Sequence, residues 1–304
     1  MSKAKAFSPC HITGVFQIFD EERDALHAGS RGAGVSLSRG VETTVEVEES
    51  SNRSVQISVN GLVSDSARVS SRVVDIFASR FQEVANSNTY VKHQVGVPVG
   101  AGLGSSGAAA LSLALALNEA LGLGLSSTEA AQVAHVAEVE CKTGLGTVAA
   151  EAVGGLEIRA KAGAPGIGEI RRVPIPKSIG VACLVLGPLS TRKCLTDRSV
   201  RKRINDFGGK MVDMLDEAPT VQNFMRASRR FAEHVGLITN RVRTLLNETD
   251  KAGVLCSMPM FGECVFTLAE GSDLKKVLQV FKEHSRSGVT IVSEVDLEGA
   301  RVTR

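Results

Sequence analysis

The chain lacks the stretches that would place it in a membrane or along a nucleic acid. Although 43% of its 304 residues are apolar, no run of them approaches the ~18 consecutive apolar residues of a spanning helix. Its 35 basic and 33 acidic residues are interspersed and leave a formal charge of +2. No concentrated basic surface is expected, so neither a membrane nor a nucleic acid is an expected partner. Acidic small molecules stay open, since a few local cations are enough for them. The start, MSKAKAFSPCHITG, is basic but develops no apolar segment of a secretory signal, and a cytoplasmic location is expected. Cys10, Cys141, Cys183, Cys194, Cys256 and Cys264 form no Cys-x-x-Cys pair, and the six histidines form no His-x-x-x-His pair. A dedicated zinc or redox site is therefore not expected, and the thiols read as reduced and mostly buried. No internal repeat or low-complexity tract is visible.

The length accommodates one large domain or two ordinary ones, and two lobes are expected. TTVEVEES and SVQISVN alternate apolar and polar residues, the pattern of half-buried antiparallel strands. Helical spacing follows over 64–86, and YVKHQVGVPV returns to strand. A glycine-rich loop then leads into a long helix over 105–121. Ser126 and Glu129 stand in capping-box spacing and open a second helix that runs to about Glu140. KTGLGTVAAEAVGGLEIRA reads as a glycine-punctuated turn, a short helical segment and a return strand. AKAGAPGIGEIRRVPIPKS, rich in Gly and Pro, supplies the lobe boundary, placed between residues 165 and 166, with a hairpin as the alternative. Beyond it GVACLVLG is a buried strand, two helices span 197–215 and 221–248, and the remainder gives strand, strand, helix, strand. The sum is an α+β architecture.

PVGAGLGSSG, residues 98–107, is where chemistry enters. A turn free of side chains lets backbone N–H groups converge on an anion at the positive end of a helix. Gly102, Gly104 and Gly107 match G-x-G-x-x-G, but a dinucleotide-binding turn requires an acidic residue ~20 positions on, at the end of a second strand. Here that distance falls in the helix and the turn after it. A P-loop is excluded more simply, because no G-K-[ST] closes the loop. Close packing of the glycines is the non-chemical alternative.

PVGAGLGSSGAAA resembles the second motif of the GHMP superfamily, named for galactokinase, homoserine kinase, mevalonate kinase and phosphomevalonate kinase. FSPCHITG stands where that superfamily has its first motif and KAGVLCSMPMFGECVF where it has its third, so the resemblance covers essentially the whole chain. It implies an N-terminal lobe like ribosomal protein S5 domain 2, a ferredoxin-like C-terminal lobe, and ATP between them. Within the superfamily, HITGVFQIFD followed by GSRGAGVSL differs from the lysine-containing start of the sugar and mevalonate kinases. Together with LVLGPLSTRKCL and EVDLEGARV it is similar to the archaeal pantoate kinases. That likeness implies phosphorylation of the primary hydroxyl of pantoate to 4-phosphopantoate for coenzyme A synthesis, by a homodimer using ATP and Mg²⁺. Mevalonate, homoserine or shikimate as acceptor, or a non-catalytic ATP sensor on the same fold, are the alternatives.

The resemblance also assigns residues. Pro98, Gly100, Ala101, Gly102, Leu103, Gly104, Ser105, Ser106 and Gly107 form the loop around the ATP phosphates. Ser106 and Glu138 would hold Mg²⁺, hydroxyl and carboxylate being hard oxygen ligands. Glu140 is the rival glutamate, and helix capping is the structural alternative for either serine. Many relatives have a catalytic Asp seven residues before Gly154, where this chain has Thr147. A threonine can hold a hydroxyl or a water, so catalysis by positioning and electrostatics is expected. His11, where the superfamily often has lysine, could orient the acceptor hydroxyl, pair with a phosphate, or simply be a buried, hydrogen-bonded histidine. Arg31 is the choice for the pantoate carboxylate, because guanidinium matches carboxylate bidentately, with Ser30 and Thr13 as hydroxyls beside it. Lys142, Arg192 and Lys193 are further cations that could face the cleft or the solvent.

Overall fold

The computed structural model describes residues 1–189, 191–284 and 288–303, and of 191–193 the backbone only. Strands β1 (Ser2–Phe19) and β2 (Gly29–Glu49) pair antiparallel, with irregularities between Pro9 and Cys10 and between Thr13 and Val15. Such bulges re-aim side chains, and these two bracket His11 and Thr13. β3 (Ser54–Val59) and β4 (Leu62–Val63) form a small hairpin. Helices α1 (Arg68–Arg80) and α2 (Gln82–Ala85) then cross to β5 (Ser87–Val95). β3 does not pair with β2. β5 lies between them, antiparallel to β2 and parallel to β3. A parallel pair needs a crossover, and the helical segment after β4 provides it.

Helices α3 (Ser105–Leu121), α4 (Ser127–Cys141) and α5 (Thr147–Val153) follow, then β6 (Leu156–Lys161) and β7 (Glu169–Val173). α3 is apolar on nearly every side because it is enclosed on all of them, with Ala108, Leu113 and Leu117 fully buried. It packs against β1 and β2 on one side and α1 and α4 on the other. A buried polar thread fixes it there. Thr43 Oγ1 lies 2.6 Å from Ser112 Oγ and 2.7 Å from His93 Nδ1, and His93 Nε2 lies 2.9 Å from Ser70 Oγ. Burial pushes the His93 pKa down to about 4, so the ring joins β5, β2, α1 and α3 without carrying charge. The expected capping box is present: Ser126 Oγ accepts from Glu129 N at 3.2 Å and Glu129 Oε2 accepts from Ser126 N at 2.8 Å.

The second half comprises β8 (Gly180–Pro188), α6 (Thr191–Thr196), α7 (Arg198–Glu217), α8 (Val221–Val235), α9 (Asn240–Lys251), β9 (Gly262–Ala269), α10 (Gly271–Glu283), β10 (Val289–Glu294) and β11 (Arg301–Thr303). The helix expected over 221–248 is two helices. Gly236, left-handed at φ 73°, ends α8, and Thr239 caps α9 by accepting from Val242 N. β8 is central in a sheet ordered β10-β8-β9. The first strand expected in GVLCSMPMFG shrinks to a bridge between Ser257 and Phe266 on the outer edge of β9. With that bridge counted, the order is the β-α-β-β-α-β arrangement of a ferredoxin-like lobe.

The boundary expected at 165/166 falls inside the first sheet instead. β7 returns antiparallel on β6, and β11 comes back from the second half to pair with β1. Gly and Pro in AKAGAPGIG make a hairpin turn, not a linker. The halves also share a core, in which the Phe16 ring meets Phe231 and Phe261 edge-on at 5.8 and 5.6 Å between centroids.

Candidate active site

The glycine loop is held rather than slack. Gly100, Gly102 and Gly104 have φ of 78°, 75° and 71°, a region open to glycine at little cost. Between them Ala101 and Leu103 are 1% exposed, so the loop is pinned into the core by alternate residues. His11 N donates to Leu103 O at 3.0 Å. A Cβ on Gly102 would sit 2.7 Å from Gly262 N, which locks the loop against the turn before β9. The N-cap of α3 is Gly104, with no side-chain cap. Neither Ser105 nor Ser106 is therefore a capping serine. The first N–H groups of α3 stay free for an anion, at the end where the helix dipole favours one.

Ser106 is turned to other use. Its hydroxyl donates to Glu138 Oε1 at 2.5 Å, and Thr143 Oγ1 donates to the same oxygen at 2.7 Å. Glu138 comes from the last turn of α4. It is 3% exposed, and burial raises its pKa against the pull of those two hydroxyls. Gly144 is required beside it, because any Cβ there would collide with Glu138 Oε2. Glu140 points outward and pairs with Arg72 at 2.5 Å. Of the two glutamates, only Glu138 reaches the loop.

Two adjoining clefts meet at Gly102, Gly104, Thr143 and Thr147. The wider runs from Ser106 and Glu138 to apolar positions such as Val59, Val69 and Val99. The narrower is lined by His11, Thr13, Ser30, Thr147 and Arg159. Shape and chemistry suit a nucleotide in the first and a small polar acceptor in the second.

Arg31 is not in either cleft. Its Nε donates to Ala160 O at 2.8 Å and its Nη2 pairs with Asp213 on α7 at 2.5 Å, because the pleat of β2 turns it to the face opposite Ser30. The assignment of the acceptor carboxylate to Arg31 is thereby corrected. Arg31→Ala is expected to leave KM for the acceptor within about twofold and to cost at most ~1 kcal/mol of stability, measured by steady-state kinetics and urea unfolding. The guanidinium in the cleft belongs to Arg159. It is 2% exposed, its Nη1 donates to Glu157 Oε1 at 2.5 Å, and its buried Nε has no partner. Gly146 makes room for it, since a Cβ there would approach Nε at 2.9 Å. Lys142 ends α4 in a left-handed conformation, at φ 57°. The side chains of Arg192 and Lys193 lie outside the described residues.

The GHMP kinase N-terminal domain family matches residues 69–155. The chain is 31% identical to the pantoate kinase of Methanocaldococcus jannaschii, over 91% of this chain and 96% of that one. The pantoate kinase of Thermococcus kodakarensis is 35% identical, over 92% of each chain. The chain belongs to the pantoate kinase family. A solved phosphotransferase related to the CoA biosynthesis pathway superposes with a TM-score of 0.88 at 31% identity, covering 99% of both chains. Thr147 opens α5 at the cleft with no carboxylate of its own. Glu151, one turn further, is fully buried behind the loop with neither oxygen partnered. Burial, with Glu138 nearby, holds its pKa well above the ordinary carboxyl value. No helix of the described residues is long and apolar enough to cross a membrane.

The donor set fits Mg²⁺ only in part by itself. Among the described residues no three His, Cys, Asp or Glu side chains converge as a metal site, while the Glu138 carboxylate and the Ser106 hydroxyl are hard oxygens that line the wider cleft. That suits an ion whose remaining ligands are phosphate oxygens and water.

Proposed function

We propose that this chain is an ATP-dependent pantoate kinase, transferring the γ-phosphoryl group to the primary hydroxyl of pantoate to give 4-phosphopantoate for coenzyme A synthesis. One observation carries the class of acceptor: a buried arginine with an unpartnered Nε in a small cleft beside the uncapped end of α3. A carboxylate on Arg159 and a hydroxyl near Thr13, Ser30 or Thr147 fit a hydroxy acid. Mevalonate, homoserine and shikimate also carry a carboxylate, so the family likeness is what favours pantoate among them. The cytoplasmic location and the homodimer rest on the family alone.

Phosphoryl transfer asks for alignment and charge neutralisation more than for covalent help. The free N–H groups at the start of α3, with Ser105 and the loop backbone, bind the phosphates. Ser106 and Glu138 would hold Mg²⁺, which when bound would neutralise charge on the phosphate oxygens. Arg159 and Ser30 fix the acceptor, and Thr147 orients its hydroxyl between the two clefts.

Coupled assays of ADP release with pantoate, mevalonate, homoserine and shikimate test the reading, and release with pantoate alone is expected. Release with another acceptor alone overturns the substrate. The threonine at 147 favours one second reading, a sensor that binds ATP without turnover. Tight ATP binding with no ADP release from any acceptor would establish it.

A further inference from the structure

We propose that Thr13, His11 and Glu157 form a proton relay that serves the acceptor hydroxyl in place of the carboxylate missing at Thr147. The proposal rests on the kinase reading above and supplies the base that reading lacks.

The geometry sets the direction of the relay. His11 is 1% exposed; its Nε2 lies 3.0 Å from Glu157 Oε1 and its Nδ1 lies 3.2 Å from Thr13 Oγ1. A carboxylate accepts and cannot donate, so Nε2 carries the imidazole proton and Nδ1 turns its lone pair toward the Thr13 hydroxyl. Glu157 is itself fully buried and held by Arg159 Nη1 at 2.5 Å. The ring packs closely on β2, where a Cβ on Gly34 would collide with its Cε1 and Nε2. Thr13 reaches the cleft from the irregular register before Val15. Hydroxyl, imidazole and carboxylate in series form the arrangement that activates nucleophiles in unrelated enzymes. Here the hydroxyl to be activated is the substrate's, and Thr13 passes the proton on.

The step balances. The acceptor O–H bond breaks as its oxygen bonds the γ-phosphorus and the bond from that phosphorus to the β-phosphate oxygen breaks, releasing ADP. The proton goes to Thr13 Oγ1 while the proton of Thr13 goes to His11 Nδ1. The imidazolium so formed is stabilised by Glu157 and returns its proton to water as the products leave. Glu157 is in this account a positioning residue.

The charged groups around His11 are Glu157 and Arg159 on β6, and Glu151 on α5 behind Gly104. Burial lowers the His11 pKa below its ordinary value, Glu157 opposes that shift, and Arg159 adds to it. The imidazole is thus neutral, and able to accept, at neutral pH. A base of lowered pKa gives kcat an acid limb below the usual imidazole range. Removing the Glu157 charge moves that limb further down.

The test is the pH profile of kcat for the full-length enzyme with saturating Mg-ATP and pantoate, from about pH 5 to 9. His11→Gln is expected to lower kcat about 100-fold at neutral pH and to abolish the acid limb. Thr13→Val should lose on the order of tenfold or more, while Thr13→Ser, which keeps the hydroxyl, recovers most of that loss. Glu157→Gln should shift the limb to lower pH. An acid limb unchanged in His11→Gln, or a Thr13→Val enzyme equal to wild type, overturns the relay. Absence of pantoate turnover by the wild type would instead overturn the kinase reading, so the two failures are distinct. Should the variants not fold, ¹⁵N NMR of the wild-type imidazoles decides. The Nε2–H tautomer at His11 is expected, and the Nδ1–H tautomer overturns the proposal.

Discussion

Glu138→Gln is expected to lower kcat by about 10²–10³-fold, the loss that follows removal of one preorganised charge-stabilising group, and to raise the Mg²⁺ concentration needed for half-maximal rate. The fold should survive. Glu138 is buried and its pKa is raised, so the folded state already disfavours its charge, and a neutral isostere keeps a polar group opposite the Ser106 and Thr143 hydroxyls. A carboxyl whose folded pKa lies above its unfolded value loses stability as pH rises past the unfolded value, and glutamine removes that penalty. Equal or slightly higher thermal stability at neutral pH, alongside the lost rate, separates a ligand from a structural residue. Glu140→Gln supplies the contrast, since it breaks only the exposed pair with Arg72 and should leave kcat within about twofold. A Glu138→Gln enzyme within tenfold of wild type, beside a crippled Glu140→Gln enzyme, would transfer the metal role to Glu140.

The parts of this site that could be read from sequence are those whose chemistry is local. The loop and the helix after it follow from neighbouring residues alone: glycines where φ must be positive, serines in the first turn, and an alanine–leucine run that suits a buried helix. The capping box at Ser126 and Glu129 is equally local. Strand pairing is not. Alternation in TTVEVEES and SVQISVN reports which faces are buried, but it carries no information on whether β5 will enter between them. The lobe boundary failed for a related reason, as Gly and Pro mark a turn without saying whether the chain folds back on its own sheet.

Substrate recognition failed at Arg31 for a geometric reason. Flanking glycines made it look approachable, yet along a strand neighbours face opposite ways, so Ser30 and Arg31 could not both line one cleft. The same rule held the usable signal. LEIRA places Glu157 and Arg159 two apart on one face of β6, whose first four residues are all buried. Charges at alternate positions of a short strand that leads out of a glycine turn are costly unless they pair or bind something. Glu157 with His11, which are 146 residues apart in sequence, shows the remaining limit: nothing local announces a partner at that distance.

Arg159→Lys is expected to reduce kcat/KM for pantoate by about 10²-fold or more, chiefly through KM, with KM for ATP within about threefold. Lysine keeps the positive charge opposite Glu157 but loses the planar fork, and with it the Nε that has no protein partner. Arg159→Ala is the harsher change, since it leaves the Glu157 carboxylate buried and without its cation, at a cost of about 3–5 kcal/mol in folding. The double variant Arg159→Met with Glu157→Gln removes both charges, so its stability should recover while pantoate affinity stays lost. That separation is the decisive measurement, by urea unfolding and by titration calorimetry with pantoate. A stable double variant that still binds pantoate like wild type would show that the carboxylate is held elsewhere. In the Arg159→Lys enzyme the His11 acid limb should persist, because the imidazole and its carboxylate are intact. Acceptor binding and proton removal thus depend on different atoms of one buried cluster, Arg159 Nε for the first and His11 Nδ1 for the second, with Glu157 Oε1 bonded to both residues.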